Sequence, residues 1–286
     1  MSQAIEIAPI TGAIGAEVLG TNLAHPLSEG ELSAVEDAFA RHLVLVFRDQ
    51  DLGIDGLERF ALQFGPFGET PFITPVEDHP NVLRVVREAD EKGALFGGSW
   101  HSDWSFQTCP PSATILYAKD VPAHGGDTAF TNQYLAYETL SPGMKRMLEG
   151  VNAVHSAQRS YGPGGTFGRP DPESSMDIHG NEQALESQLH PLVRTHPTSG
   201  RRALFINDVY TVGIEDMNAG ESAALLGYLL AHSRQISFTC RVRWQPGTLT
   251  MWDNRCTQHH AIDDYAGHRR EMYRVTVAGE QPVFQS

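Results

Sequence analysis

Three cysteines in 286 residues leave little room for covalent cross-linking. Cys109, Cys240 and Cys256 are far apart, odd in number and form no CxxC pair. A disulfide framework and a structural zinc site are therefore disfavoured, and buried or half-buried free thiols are expected. Basic charge is also scarce. Twenty-one Lys and Arg against 35 Asp and Glu give a formal charge of −14. So acidic a chain is poorly suited to a phosphate backbone, which argues against nucleic acid as a partner. It also makes a local basic cluster informative, and the clearest is Arg269, Arg270 and Arg274. No run of eighteen apolar residues occurs, so no membrane span is expected. The opening MSQAIEIAPITGAIGAEVLG lacks the basic start and apolar block of a signal peptide, and a cytoplasmic location is expected. There is no internal repeat and no low-complexity tract.

What is present is a mixed pattern in which strands dominate. Residues 28–42 read as a helix, with Ser28 and Glu31 at capping-box spacing and Leu32, Val35 and Phe39 on one stripe. LVLVFRD (43–49) suits a buried strand, and 54–64 a second amphipathic helix ended by Gly65. Further strands are expected at 82–87, 113–119, 127–131, near 192–195 and 203–207, and at 236–244, 248–253 and 270–279. Ser141-Pro142 opens a short helix, and 219–232 forms one rich in Ala and Leu. Residues 157–190 are rich in Gly, Pro, Ser and acid groups, which suggests a lid over a site. The fold expected is mostly β with flanking helices: a double-stranded β-helix, or jelly roll, in one domain spanning 1–286.

Four short segments carry chemistry. In Trp100-His101-Ser102-Asp103-Trp104, extended chain would present His101 and Asp103 on one face. That is two-thirds of a 2-His-1-carboxylate triad, which binds Fe(II) on one side and leaves positions open on the other. HxD alone is a weak signal. A second segment, Trp252 to His260, offers a third ligand from His259 or His260, which extended chain would point to opposite faces. The third is Arg269 to Arg274. On a strand, Arg270, Met272, Arg274 and Thr276 share a face, and each guanidinium could clamp a carboxylate. Gly125-Gly126-Asp127-Thr128 is a tight turn ending in a hydroxyl at the start of a strand.

Together these pieces resemble the taurine dioxygenase family of Fe(II)/2-oxoglutarate enzymes. The resemblance covers most of the chain. Its strongest blocks are WHSDWSF, PAHGGDTAFTN, HPLVRTHPTSGRRALFIN and WDNRCTQHHAIDDYAGHRREMYRVTV, and several look like bacterial aryloxyalkanoate dioxygenases. It implies Fe(II), 2-oxoglutarate and O₂. It implies His101, Asp103 and His259 as metal ligands, and prefers His259 to His260 because the ligand follows the Thr-Gln pair. It implies Arg270 and Thr128 at the distal carboxylate of 2-oxoglutarate, and Arg274 at an anionic substrate group. Two departures argue against taurine itself. The stretch 71–78 has no histidine, with Phe72 near the equivalent place, and Gly97-Gly98 replaces an asparagine before HxD. A larger or more apolar substrate follows. Trp104 and Phe106 are candidate pocket walls, and ordinary core packing would suit them equally.

The expected activity is hydroxylation of a small, anionic, aryloxyalkanoate-like or other carboxylate substrate, with succinate and CO₂ as co-products. The alternatives are a sulfonate or sulfate-ester dioxygenase of the same family, a zinc hydrolase, or a non-catalytic jelly roll with a relic metal site. A zinc hydrolase gives Arg270 and Thr128 no purpose, and a relic would not be expected to keep every ligand position. A small-molecule substrate is expected, with no nucleic-acid or membrane partner, in a homo-oligomer.

Overall fold

In the computed structural model, residues 5–285 are described. The elements in chain order begin with β1 (Glu6–Pro9), β2 (Ala16–Leu19), α1 (Glu29–His42), β3 (Val44–Phe47), α2 (Ile54–Leu62), β4 (Leu83–Arg87), β5 (Ala113–Asp120) and β6 (Thr128–Asn132). The middle third holds α3 (Gln133–Glu138), α4 (Pro142–Leu148), β7 (Asn152–Ser156), α5 (Gln158–Tyr161), β8 (Ser187–Pro191), β9 (Val193–Thr195), β10 (Arg202–Leu204) and β11 (Thr211–Ile214). The chain closes with α6 (Ala219–Ser233), β12 (Thr239–Val242), β13 (Leu249–Asp253), β14 (Thr257–Ala261) and β15 (Arg270–Val277). The architecture is mostly β with a few helices.

Seven strands form the large sheet, in the order β1-β2-β3-β13-β5-β15-β4. Its pairings are antiparallel except β2 with β3. Alternation along each strand separates its two faces. Leu45, Phe47, Ile115, Tyr117, Met251 and Val275 pack under α1 and α2, through Val35, Phe39, Leu57 and Phe60. Val44, Val46, Leu116, Ala118 and Met272 pack the other way, against Phe130, Cys240 and Val242 of a three-stranded sheet ordered β12-β6-β14. Burying each Val, Leu, Ile, Phe or Met among these contributes about 1.5–3 kcal/mol. The layer between the two sheets holds the site.

Helix α1 has the expected capping box at Ser28 and Glu31 and stops at Leu43, whose φ of 65° breaks the helical ladder. Several expectations need correction. Residues 236–238 form a 3₁₀ turn, and the strand begins only at Thr239. β14, which carries His259, was not foreseen as a strand because its sequence is polar; it is nevertheless the edge partner of β6. Cys109 is exposed, whereas Cys240 and Cys256 are buried.

The 157–190 segment is folded down against the body. Gly162, Gly165, Gly168 and Gly180 serve close approach of backbone to backbone. A Cβ at Gly180 would lie 2.6 Å from Gly168 Cα, and one at Gly165 would lie 2.8 Å from Arg159 O. Tyr161, Met176 and Ala184 from this segment are buried with Trp104 and Tyr210. Ser175 Oγ donates to Glu91 at 2.6 Å, anchoring its far side.

Candidate active site

β6 and β14 run antiparallel with Phe130 opposite His259 and Thr128 opposite Ala261. Directly opposed residues share a face, so Thr128, Phe130, His259 and Ala261 all point into the layer between the sheets. His260 opposes Ala129 on the other face, where its ring lies 5.5 Å from Trp100. The pleat thus separates the two histidines that sequence pattern left equivalent. His101 reaches His259 through a single antiparallel bridge, with N–H···O distances of 3.0 and 2.8 Å. The chain then turns, with Trp104 at φ 45°. A turn, not the pleat of a regular strand, therefore brings Asp103 beside His101. For a bulky aromatic this left-handed backbone is costly and is found where surrounding packing enforces it.

Asp103 Oδ1 lies 3.4 Å from His101 Nε2 and 3.9 Å from His259 Nε2. One ligand atom from each of the three lies within 4.8 Å of the others, and all three residues are buried. The remaining atoms are tied back. His101 Nδ1 bonds Ser99 O at 2.7 Å, which makes Nδ1 the protonated nitrogen and leaves the Nε2 lone pair facing Asp103. Asp103 Oδ2 accepts from Thr114 Oγ1 at 2.6 Å, so Oδ1 is the oxygen turned toward the two histidine Nε2 atoms. Asn254 braces both partners: its amide donates to Thr114 Oγ1, and its Oδ1 accepts from Asp103 N and Trp252 Nε1.

The electrostatics suit a divalent cation. Burial pushes the Asp103 carboxyl up, but Arg274, His259 and His101 outweigh it and hold the group well below the usual carboxylate range. Burial, reinforced by His101, pushes His259 well below its ordinary value against the pull of Asp103. A metal binds an aspartate ionised and a histidine neutral, which these directions for Asp103 and His259 favour, and two imidazoles with one carboxylate are the donor set of a facial Fe(II) site.

Two arginines from β15 reach the same cavity, which Thr128, Trp252, His259 and Ala261 also line. Arg274 Nη2 pairs with Asp103 Oδ1 at 2.8 Å, off the hydrogen-bond direction, and its Cζ sits 4.8 Å from the Trp104 ring. Arg270 differs. It is 6% exposed, its Nε has no partner, and no acidic group among the described residues pairs with it. Burial lowers its pKa, with Tyr265 and Asp127 opposing. A buried guanidinium without a counterion is costly unless an anion arrives. Gly126, at φ 68°, leaves room for it: a Cβ there would meet Arg270 Cδ at 3.4 Å and Tyr265 at 3.2 Å.

Beyond His101 and Asp103 opens a cavity of about 400 Å³, walled by Phe96, Gly97, Trp104, Tyr161, Phe167 and Tyr210 among others. Phe72 does not line it. It stacks on Tyr161 at 4.9 Å, touches Phe106 at 5.9 Å, and faces a separate surface cleft. Phe106 also lies behind the wall, against Trp104 and Tyr210. Sequence reading missed Tyr161, Phe167 and Tyr210, whose only signal was their place in the 157–190 segment or after the FIN block. It also missed Thr114, an ordinary strand threonine with no local signature.

A second buried cluster, His196, Asp253 and Cys256, has metal-like spacing. His196 Nδ1 accepts backbone N–H groups of Thr198 and Ser199, so Nε2 carries the proton it gives Asp253 at 3.0 Å. Arg255 pairs with the same carboxylate at 2.7 Å. With its lone pairs used and a cation already in place, this cluster is a structural ion-pair network.

Residues 6–276 match the model of the taurine catabolism dioxygenase TauD, TfdA family. The chain belongs to that family. It is 34% identical to an alpha-ketoglutarate-dependent sulfate ester dioxygenase of Pseudomonas putida, over 98% of this chain and 91% of that protein. It is 33% identical to an alpha-ketoglutarate-dependent 2,4-dichlorophenoxyacetate dioxygenase of Cupriavidus pinatubonensis, over 96% and 98%. Among solved structures, a taurine dioxygenase from Burkholderia xenovorans superposes with a TM-score of 0.81 at 32% identity, covering 98% of this chain and 93% of that one. AAD-2 in complex with Mn(II) and N-oxalylglycine gives 0.78 at 31% identity, covering 99% and 100%. This TauD/TfdA protein is thus a 2-oxoglutarate-dependent non-haem iron dioxygenase that uses Fe(II), 2-oxoglutarate and O₂. No helix among its described residues is long and apolar enough to cross a membrane.

Proposed function

We propose that the enzyme hydroxylates a small anionic organic substrate with an apolar body, an aryloxyalkanoate or a similar carboxylate. One observation carries this reading: His101, Asp103 and His259 and two buried guanidinium groups open onto one cavity, with Arg270 lacking an anionic partner among the described residues. His101, Asp103 and His259 hold the iron. Arg270 and Thr128 hold the distal carboxylate of 2-oxoglutarate, at the end of the cavity nearest Gly126. Bound iron with 2-oxoglutarate and O₂ supplies the oxidising chemistry, in which the co-substrate becomes succinate and CO₂ while a substrate C–H becomes C–OH.

The protein's own contribution is orientation and exclusion of water. Arg274, held over the Trp104 face and beside Asp103, is the group an incoming substrate anion meets. Trp104, Tyr161, Phe167 and Tyr210 form the apolar wall for the rest of the substrate. The 157–190 segment supplies two of these residues and acts as the lid of a single jelly-roll domain. If the hydroxylated carbon bears an ether oxygen, its product collapses to a phenol and an oxo acid.

A second reading, a sulfate-ester dioxygenase, is favoured by the sulfate ester relative. It uses the same Arg274, because both headgroups are monoanions able to accept a bidentate guanidinium. Succinate formation with phenoxyacetate against hexyl sulfate separates them. Coupled phenol release supports the carboxylate reading. Coupled sulfate release with no turnover of phenoxyacetate would replace it.

A further inference from the structure

One hydrogen bond near the anion-binding end is not explained by metal ligation or by Arg270. Trp244, just beyond β12, is 3% exposed and donates Nε1–H to Thr128 Oγ1 at 3.0 Å. An indole N–H can only donate, and a threonine hydroxyl offers one hydrogen and two lone pairs. The bond therefore occupies a lone pair and leaves the hydroxyl hydrogen to seek an acceptor. Thr128 is 2% exposed, yet its hydroxyl donates to no group among the described residues. It lines the cavity that Arg270 lines, and Arg270 Cζ lies 5.9 Å from the Trp244 ring centroid. Two donors unpaired among the described residues, the Thr128 hydroxyl and Arg270 Nε, thus belong to residues that line one small volume.

We propose that Trp244 is a positioning residue for the co-substrate. By donating to Thr128 it fixes that hydroxyl as a donor, directed with Arg270 at the distal carboxylate of 2-oxoglutarate. Without the indole N–H, the hydroxyl has a buried lone pair to satisfy and no reason to hold this orientation. The inference rests on the assignment of Arg270 and Thr128 to that carboxylate.

The test is isothermal titration of Zn(II)-loaded enzyme, which does not turn over, with 2-oxoglutarate and with 2-oxopentanoate. The second ligand keeps the chelating end and lacks the distal carboxylate. Trp244→Phe is expected to raise the Kd for 2-oxoglutarate about tenfold, the order of one hydrogen bond to a charged group, and to leave 2-oxopentanoate unchanged. In a Thr128→Val background the same substitution should add little. Equal weakening of both ligands, or no weakening of 2-oxoglutarate, overturns the proposal, because the indole then only fills space or does nothing.

Arg270→Ala separates the two levels. If it leaves the preference for 2-oxoglutarate over 2-oxopentanoate intact, the anion-site reading itself fails. If it abolishes that preference while Trp244→Phe does not touch it, only the role of Trp244 fails. A second measurement needs no Trp244 variant. Indole ¹⁵N spectra of the Zn(II)-loaded wild type should show one of the four tryptophans responding to 2-oxoglutarate and not to 2-oxopentanoate, with the response lost in Thr128→Val. Absence of any such response overturns the proposal.

Discussion

Acid should loosen this enzyme from directly behind its active site, through His155. The side chain is fully buried, its ring stacked on Phe205 at 5.3 Å and edge-on to His190 at 5.3 Å. Burial, with a smaller push from His190, lowers its pKa from 6.5 to about 3; burial likewise lowers that of His190 to about 4. Both are neutral in the folded protein. The unfolded chain takes up their protons below pH 6.5, so their contribution is complete above that pH and is lost as pH falls. A pH of 5.0 lies about 1.5 units below the unfolded pKa of His155 and above its folded one, which costs about 2 kcal/mol at about 1.36 kcal/mol per unit. His190 should cost a similar amount. The assay is urea denaturation of metal-free protein at several pH values between 7.5 and 5.0, comparing wild type with His155→Phe. The variant's packing change sets an offset, and the prediction concerns only how that offset varies. Relative to wild type, the variant should gain about 2 kcal/mol between pH 7.5 and 5.0. An offset independent of pH would refute the claim that His155 is held neutral. The consequence for the site is direct: His155 bonds Ser105, which Asn207 also holds, and Ser105 follows Asp103 by two residues.

Other perturbations bear on the site itself. Replacing His101 by Ala should abolish the weak visible absorption that Fe(II) and 2-oxoglutarate produce anaerobically in the wild type; a retained band in folded variant would remove His101 from the ligand set. Thr114→Val strips the hydrogen bond from Asp103 Oδ2, and equilibrium dialysis should show metal affinity falling about 10- to 100-fold, as for other losses behind a ligand. Arg274→Ala should raise the KM for the primary substrate while leaving that for 2-oxoglutarate nearly unchanged, and an unaltered substrate KM would count against its role.

Much of the chemistry was legible in the chain because it is concentrated in short blocks. HxD and the two arginines four residues apart are local patterns, weak singly, and the resemblance to a family is what singled out His259 after Thr-Gln. Helix α1 could be bounded because its cap is local, with Ser28 and Glu31 three residues apart. The 157–190 segment stood out by composition only. Its glycines read as flexibility, whereas several are demanded by close contact between backbone segments.

The remainder depended on register. Sequence pattern alone left His259 and His260 equivalent; pairing of β14 with β6 turns one toward Asp103 and the other toward Trp100. Thr114, Trp244 and Tyr210 have no motif around them, and their partners lie 11, 116 and 109 residues away at Asp103, Thr128 and His101. The resemblance put Phe72 near a histidine position that contacts substrate in the family; here its backbone has a φ of 66° and its ring stacks on Tyr161. By itself, then, the sequence determined which reactive groups the protein owns and the local helices and turns that present them. The tertiary structure decided which of those groups meet and which side chains wall and brace them, because strand pairing aligns residues with no local relation and only packing between two sheets makes a buried cavity.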